Sequence, residues 1–375
     1  MRGTRDVTTA AHLPPSGSSP RFPEFPALDG FRGLAILLVL VEHVLKYSVG
    51  IPGPWNHWGG VGVILFFALS GFLITGLLGA ELAREGRIDL RAFWIRRGLR
   101  ILPAMAVYLA AIALLKLAGW VTDPPWKDFA ACLAFLRNFV GRGHSLEHLW
   151  SVSLEQQFYL LWPLVFAAAG RRGARRASLA VLVGVIAWRA TAISTGLYRA
   201  DSATIYLRSD FRSDALMGGS FLALAWHGGD LARSAVWLRS FASPWWVLPA
   251  LLAWAGWMWG SPWAGPVFIA VQVLFALLLL SHLVSNPGDA FGGLCSGSWL
   301  RWLGRRSYSI YLWQQIFLVV KSPDWGWARH FPIDLALAFA FGLASYHWVE
   351  LPCLRLKSRM GRRRTSGPGS RPDPA

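Results

Sequence analysis

Apolar runs of about 20 residues recur along this chain, and each is long enough to cross the hydrocarbon core of a bilayer as a helix. The chain is 54% hydrophobic, contains 22 Trp, and has only 15% charged residues. A soluble domain would not carry so many long apolar runs. The expected fold class is therefore all-α, a polytopic integral membrane protein with about ten transmembrane helices.

The runs place spans at 31–49, 60–82, 101–120, 149–169, 178–195, 213–227, 245–260, 264–284, 307–321 and 333–350. Pro52, Gly53 and Pro54 break the chain after the first span, and Trp55 and Trp58 suit an interface. The stretch VTDPPW opens a longer loop at 121–147, where a short interfacial or re-entrant helix is expected over Phe129 to Val140. Residues 1–26 are rich in Pro, Ser, Thr and Arg without apolar periodicity, and read as a disordered tail. Residues 355–375 read as a basic disordered tail, leaving 27–354 as the transmembrane domain. No cleavable signal is expected, because the first run follows a polar segment and lacks a small-residue cleavage site.

The formal net charge is +17. Arg84, Arg87, Arg91, Arg96, Arg97 and Arg100 crowd one loop, and RRGARR at 171–176 forms another basic segment. Lys and Arg favour cytoplasmic loops, so both termini are expected to be cytoplasmic. The same bias accounts for the positive charge without nucleic acid, because the basic residues sit between spans. Cys132, Cys295 and Cys353 are scattered, with neither metal-ligand spacing nor a disulfide framework, and read as apolar fillers.

Against this apolar background a few polar clusters stand out. Arg32 and His43 lie eleven residues apart in the first span, on one helix face and about 16 Å apart along the axis. Glu42 points elsewhere. His148, Ser151, Glu155, Tyr159 and Trp162 fall on about one face of the fourth span. A carboxylate inside a span marks a functional site or holds helices together through an arginine. Arg96, Arg97 and Arg100 stand at the mouth of the third span, where they are either a topology marker or an anion site. Ser70 and Gly71 allow close approach of another helix or of a thin ligand. Arg212 and Asp214 are an opposite-charge pair whose simplest account is a structural ion pair. The segment His144–His148 also fits H-x-x-E-H, but Gly141 and Gly143 oppose a long helix there and no third ligand is evident, so no metal site is expected.

The order and wording of these clusters add a further signal. ALDGFRGLAILLVLVEH, LFFALSGFLIT, FWIRRGLRILP, HLWSVSLEQQFYLLWP, RSDALMGG, LGRRSYSIYLW and HWVELPCLRL resemble the successive signatures of the acyltransferase family 3 membrane proteins, from Phe25 to Leu356. The first and fourth are specific, and the others support by order. The resemblance implies a ten-helix enzyme of the bacterial inner membrane. Such an enzyme takes an acyl group, often acetyl, from cytoplasmic acyl-CoA and places it on a hydroxyl of a sugar, polysaccharide, peptidoglycan, lipid or secondary metabolite. It also implies that Arg32 and His43 match the family's arginine–histidine motif, Arg97 and Arg100 its arginine pair, and Glu155 its glutamate. The chain departs at Met105, Ile64 and Gln314, positions where an aromatic, an acidic residue and a histidine are common. Some relatives carry an additional esterase-like domain, for which the C-terminal tail here is too short.

Taken together, these readings yield specific expectations. His43 is the candidate base, oriented by Glu155 if their helices adjoin. Arg97, Arg100 and Arg96 would hold CoA phosphates, and Ser70 and Gly71 would let the pantetheine arm pass. Arg32 would bind donor or pair with Asp29. His148, Ser151, Tyr159, Arg212 and Asp214 would support the acceptor. No tightly bound cofactor is expected; acyl-CoA is a co-substrate, and the other partners are a carbohydrate-containing acceptor and the bilayer. The competing classes are a transporter of a small anionic or lipid-linked metabolite and a non-catalytic assembly subunit. Absence of a visible repeat counts against the transporter.

Overall fold

The computed structural model describes residues 22–23, 25–141, 143–199, 203–227, 243–257, 264–320, 326, 328 and 330–356. Among them every regular element is a helix. Helix α1 (Pro26–His43) starts with Pro in its first turn and continues as a π-helix, Val44–Val49, which Gly50 ends at φ 75°. Helix α2 (Trp58–Glu85) ends at Gly86, whose N–H donates to Leu82 O. Helix α3 (Leu90–Leu117) is capped by Asp89, which accepts from Ala92 N at 2.9 Å. The loop helix α4 (Trp126–Leu133) is followed by α5 (Leu149–Ser194), the short α6 (Ala203–Leu207) and α7 (Ser209–Arg212), and α8 (Asp214–His227). Then come α9 (Pro244–Trp257), α10 (Ala264–Ser285), α11 (Ala290–Ser296), α12 (Ser298–Gln314) with a π-helical end Gln315–Val319, and α13 (Ile333–Ser345) with a π-helical end Tyr346–Glu350.

Helix α5 is two helices in series. Gly170 sits between them at φ 61° and ψ −175°, outside helical space, so the expected spans 149–169 and 178–195 meet at a tight turn. Helices occupy all ten stretches read as spans, as far as those stretches are described. Among the described residues, length and apolar composition alone qualify four helices as spans: Pro54–Glu85, Leu90–Leu117, Leu149–Ser194 and Val267–Ser285. The expected count of ten is therefore not confirmed. Helix α1 carries Asp29, Arg32 and Glu42, and the described residues of α8 and α9 end at His227 and Trp257. The loop helix covers Trp126–Leu133 rather than Phe129 to Val140, because Phe135 turns at φ 56°. Residues 1–21 and 357–375 lie outside the described residues. Phe22 and Phe25, read as tail, pack edge-to-face on Phe72 and Trp226.

Helix α1 packs against α2 on one side and against α11 and α12 on the other, while α2 also packs on α8. Lipid tails are as apolar as side chains, so helices in a bilayer associate through close packing and small residues. Gly304 of α12 lies against the Asp29 carbonyl of α1, where an added Cβ would stand 1.7 Å from that oxygen. Gly71 of α2 is buried against α8, where an added Cβ would stand 2.0 Å from Leu216 O. The expected thin-ligand passage at Gly71 is thus corrected: a neighbouring backbone fills that space.

The expected pair of Arg212 with Asp214 is also corrected. Asp214 accepts from Arg189 Nη1 at 2.8 Å, and both are buried. Arg212 instead stacks over Trp150, 5.7 Å from its ring centroid. Arg212 ends α7 and Asp214 begins α8; the two keep an electrostatic interaction, but the direct ion pair of Asp214 is with Arg189. Asp214→Ala would strand the buried Arg189 guanidinium. The expected loss is about 3–5 kcal/mol of stability, read as a lower unfolding midpoint in detergent.

Candidate active site

Two polar layers are built around α1. The first surrounds Arg32. Glu155 of α5 accepts from Ser70 Oγ of α2 at 2.6 Å, and Tyr159 OH donates to the same Ser70 oxygen at 3.2 Å. Arg32, Arg97 and Arg100 all act electrostatically on Glu155. Arg97 stands over the Tyr159 ring at 5.1 Å, and Arg32 reaches Asp29 at 3.7 Å. Asp29 also meets Arg305 at 3.5 Å. Helices α1, α2, α3 and α5 thus each bring one or more of these groups to one place. Arg32, Ser70, Arg97, Arg100 and Glu155 are all only partly buried although they sit on packed helices. Of the three guanidiniums only Arg32 lies within ion-pair distance of a carboxylate among the described residues, which leaves Arg97 and Arg100 to receive an anion.

Glu350, which carried no role in the sequence reading, belongs to this layer. It is buried, accepts from Ser309 Oγ at 2.7 Å, and acts electrostatically with Arg100 and Arg32. The signal available was a carboxylate at the end of the last apolar run, inside the quoted HWVELPCLRL motif. Arg96 is not part of the layer's core. Its Nη2 meets Glu81 Oε2 at 3.2 Å, and Glu81 also accepts from Asp89 N at 2.9 Å. Arg96 therefore ties the α2–α3 turn together, which corrects its expected place beside Arg97.

The second layer lies towards the C-terminal end of α1. His43 Nδ1 is 2.5 Å from Gln314 Oε1 of α12. The Gln314 amide nitrogen faces the Tyr311 carbonyl at 3.5 Å, which leaves its oxygen for His43. An amide oxygen only accepts, so Nδ1 carries the proton and Nε2 keeps a lone pair. The expected contact from Glu155 to His43 is replaced: Glu155 serves Ser70, and Gln314 positions the imidazole. The departure at Gln314, set aside as the loss of a histidine, is the partner of the candidate base.

Behind Gln314, Tyr311 OH shares a 2.9 Å hydrogen bond with Ser151 Oγ and donates to His148 O at 3.1 Å. The His148 ring is buried edge-on between Tyr108 and Tyr311, at 5.3 and 5.4 Å. His144, by contrast, is exposed and bonds Glu147 at 3.3 Å, so the two histidines of H-x-x-E-H sit in different surroundings. Glu42, predicted to point away from Arg32 and His43, accepts from Gly59 N at 2.5 Å and caps α2.

The comparisons with known proteins bear on this arrangement. The family profile described as an acyltransferase domain matches residues 25–348. The chain belongs to acyltransferase family 3. The quoted motifs from Ala27 to Trp313 fall within that match, and the last, HWVELPCLRL, begins at its end. Among curated relatives it is 28% identical to the putative peptidoglycan O-acetyltransferase YrhL of Bacillus subtilis, over 87% of this chain and 54% of the relative. It is 27% identical to the peptidoglycan O-acetyltransferase OatA of Listeria monocytogenes, over 87% of this chain and 55% of the relative. A putative O-acetyltransferase of Staphylococcus aureus is 28% identical over 87% of this chain and 57% of the relative. The chain thus spans about half the length of these relatives. No solved structure matches it. It is a member of acyltransferase family 3 with several helices long and apolar enough to cross a membrane.

Proposed function

We propose that this acyltransferase moves an acyl group, acetyl first among them, from cytoplasmic acyl-CoA to a hydroxyl of a carbohydrate-containing acceptor. The observation that carries this reading is the pairing of an arginine layer at Arg32, Arg97 and Arg100 with a histidine whose Nε2 is left free by Gln314. Two layers about 16 Å apart suit a long donor, with phosphates at the arginines and a thin arm reaching the imidazole. The named activity of the relatives supports a cell-wall glycan as the acceptor. The arginine-rich loops support an orientation with both termini in the cytoplasm of a bacterial cell.

In this mechanism His43 Nε2 takes the acceptor hydroxyl proton as its oxygen bonds the thioester carbon. The C–S bond then breaks, and the proton passes from His43 to the departing CoA sulfur. Gln314 keeps the required tautomer through both steps. Glu155 holds Ser70 and offsets part of the arginine charge.

The test follows CoA release from acetyl-, propionyl-, succinyl- and isovaleryl-CoA in nanodiscs, with and without cell-wall glycan. Donor-dependent release that rises with glycan supports the reading, and no release with any donor, together with no CoA binding, overturns it. Arg97→Ala is expected to raise the donor KM roughly 10- to 100-fold, the scale of one charged hydrogen-bonding group. Arg96→Ala, whose guanidinium serves Glu81, is expected to leave the KM within about threefold.

A further inference from the structure

A groove of about 330 Å³ lies between the second half of α5 and α8, lined by Arg172, Arg175, Arg176, Leu179 and Phe221. Among the described residues no carboxylate lines it. Arg172 and Arg176 are exposed, and the Arg175 guanidinium stands 5.4 Å from the Phe221 ring centroid. None of these residues belongs to the two layers around α1.

The chemistry of the groove changes sharply along one helix stripe. Residues 172, 176, 179 and 183 are four, three and four apart, so they share a face. The first two are arginines beside the Gly170 turn. The next two, Leu179 and Val183, are apolar and 44% and 55% exposed. From Arg176 to Leu179 is about 4.5 Å along the axis. Charge therefore gives way to an outward apolar surface within one turn, as it does at the edge of a bilayer.

We propose that this groove holds one anionic phospholipid, its phosphate between Arg172, Arg175 and Arg176 and an acyl chain along Leu179 and Val183. Arginine forks match phosphate oxygens, and an anionic leaflet supplies the ligand at the cytoplasmic surface. The neighbouring Arg171 donates to Gly79 O of α2 at 2.7 Å, so a lipid seated here buttresses the end of the helix that carries Ser70. The proposal rests on the membrane reading and is independent of donor and acceptor.

The experiment compares full-length wild type with Arg172→Gln/Arg176→Gln in nanodiscs of phosphatidylcholine with and without phosphatidylglycerol, and reads bound lipid by native mass spectrometry. Both arginines are exposed, so the variant is expected to fold. Wild type should retain one phosphatidylglycerol in preference to phosphatidylcholine, and the variant should bind it about 30-fold more weakly, a factor of about five per arginine. Arg87→Gln/Arg91→Gln removes the same charge from another loop and should leave retention unchanged. Equal loss in both double variants would reduce the effect to general surface potential and overturn the site. Unchanged lipid retention, with acetyl-CoA binding weakened instead, would also overturn it and assign the groove to the donor. Absence of acyl transfer in any variant leaves the lipid readout intact, so failure of the enzymatic reading is separable from failure of this one.

Discussion

His43→Ala is expected to slow acyl transfer by roughly 10²- to 10⁴-fold, the range that a positioned general base contributes. Donor affinity should stay within a few-fold of wild type, because the arginine layer lies about three helical turns away. Only partly buried, His43 makes one side-chain hydrogen bond among the described residues, to Gln314, so its removal leaves the helix contacts in place. Gln314→Leu extends the test. It removes the oxygen that holds the Nδ1 proton while keeping the volume, and should lower kcat about tenfold with little change in KM, because the imidazole is then free to take the wrong tautomer or rotamer. Measured kcat and KM for the two variants, with CoA binding followed separately, check both statements. A His43→Ala enzyme with wild-type turnover would remove the imidazole from the mechanism.

The second large effect concerns packing. Gly304→Val is expected to cost folded yield and lower the unfolding midpoint more than any change in the polar layers. A Cβ at this position would meet the Asp29 carbonyl at 1.7 Å, well inside contact, and rigid backbone lies on both sides. Overpacking of this kind costs about 1–3 kcal/mol and more where backbone must move. Activity should fall with stability, because the displaced helices are the two that bring His43 and Gln314 together. Gly184→Val is the matched control: a Cβ there meets nothing within 4 Å. Size-exclusion profiles and thermal unfolding of both variants in one detergent decide the matter. Equal behaviour would mean that α1 and α12 do not depend on this approach.

Much of the candidate site was legible along single helices. Arg32 and His43 share a face because eleven residues make nearly three whole turns, and Glu155 and Tyr159 share one because they are four apart. The structure keeps both relations, since they belong to α1 and α5 individually. Partners across helices were legible only through the family resemblance, or not at all. Asp214 looks like the partner of Arg212 in the chain, but its direct ion pair is with Arg189, 25 residues earlier, because α5 packs Arg189 against the start of α8. Arg96 looks equivalent to Arg97, yet one faces Glu81 and the other Tyr159.

By itself the sequence determined where apolar runs become helices and which polar residues those helices carry, because a charge in an apolar run is costly enough to be visible in composition. It also determined the family, through motifs whose order survives along the whole match. Only the tertiary structure decided that Gln314 holds His43, that Glu350 joins the arginine layer, and that Gly71 and Gly304 are seams between helices. These facts depend on which faces of distant segments meet, and helix periodicity carries no information about that.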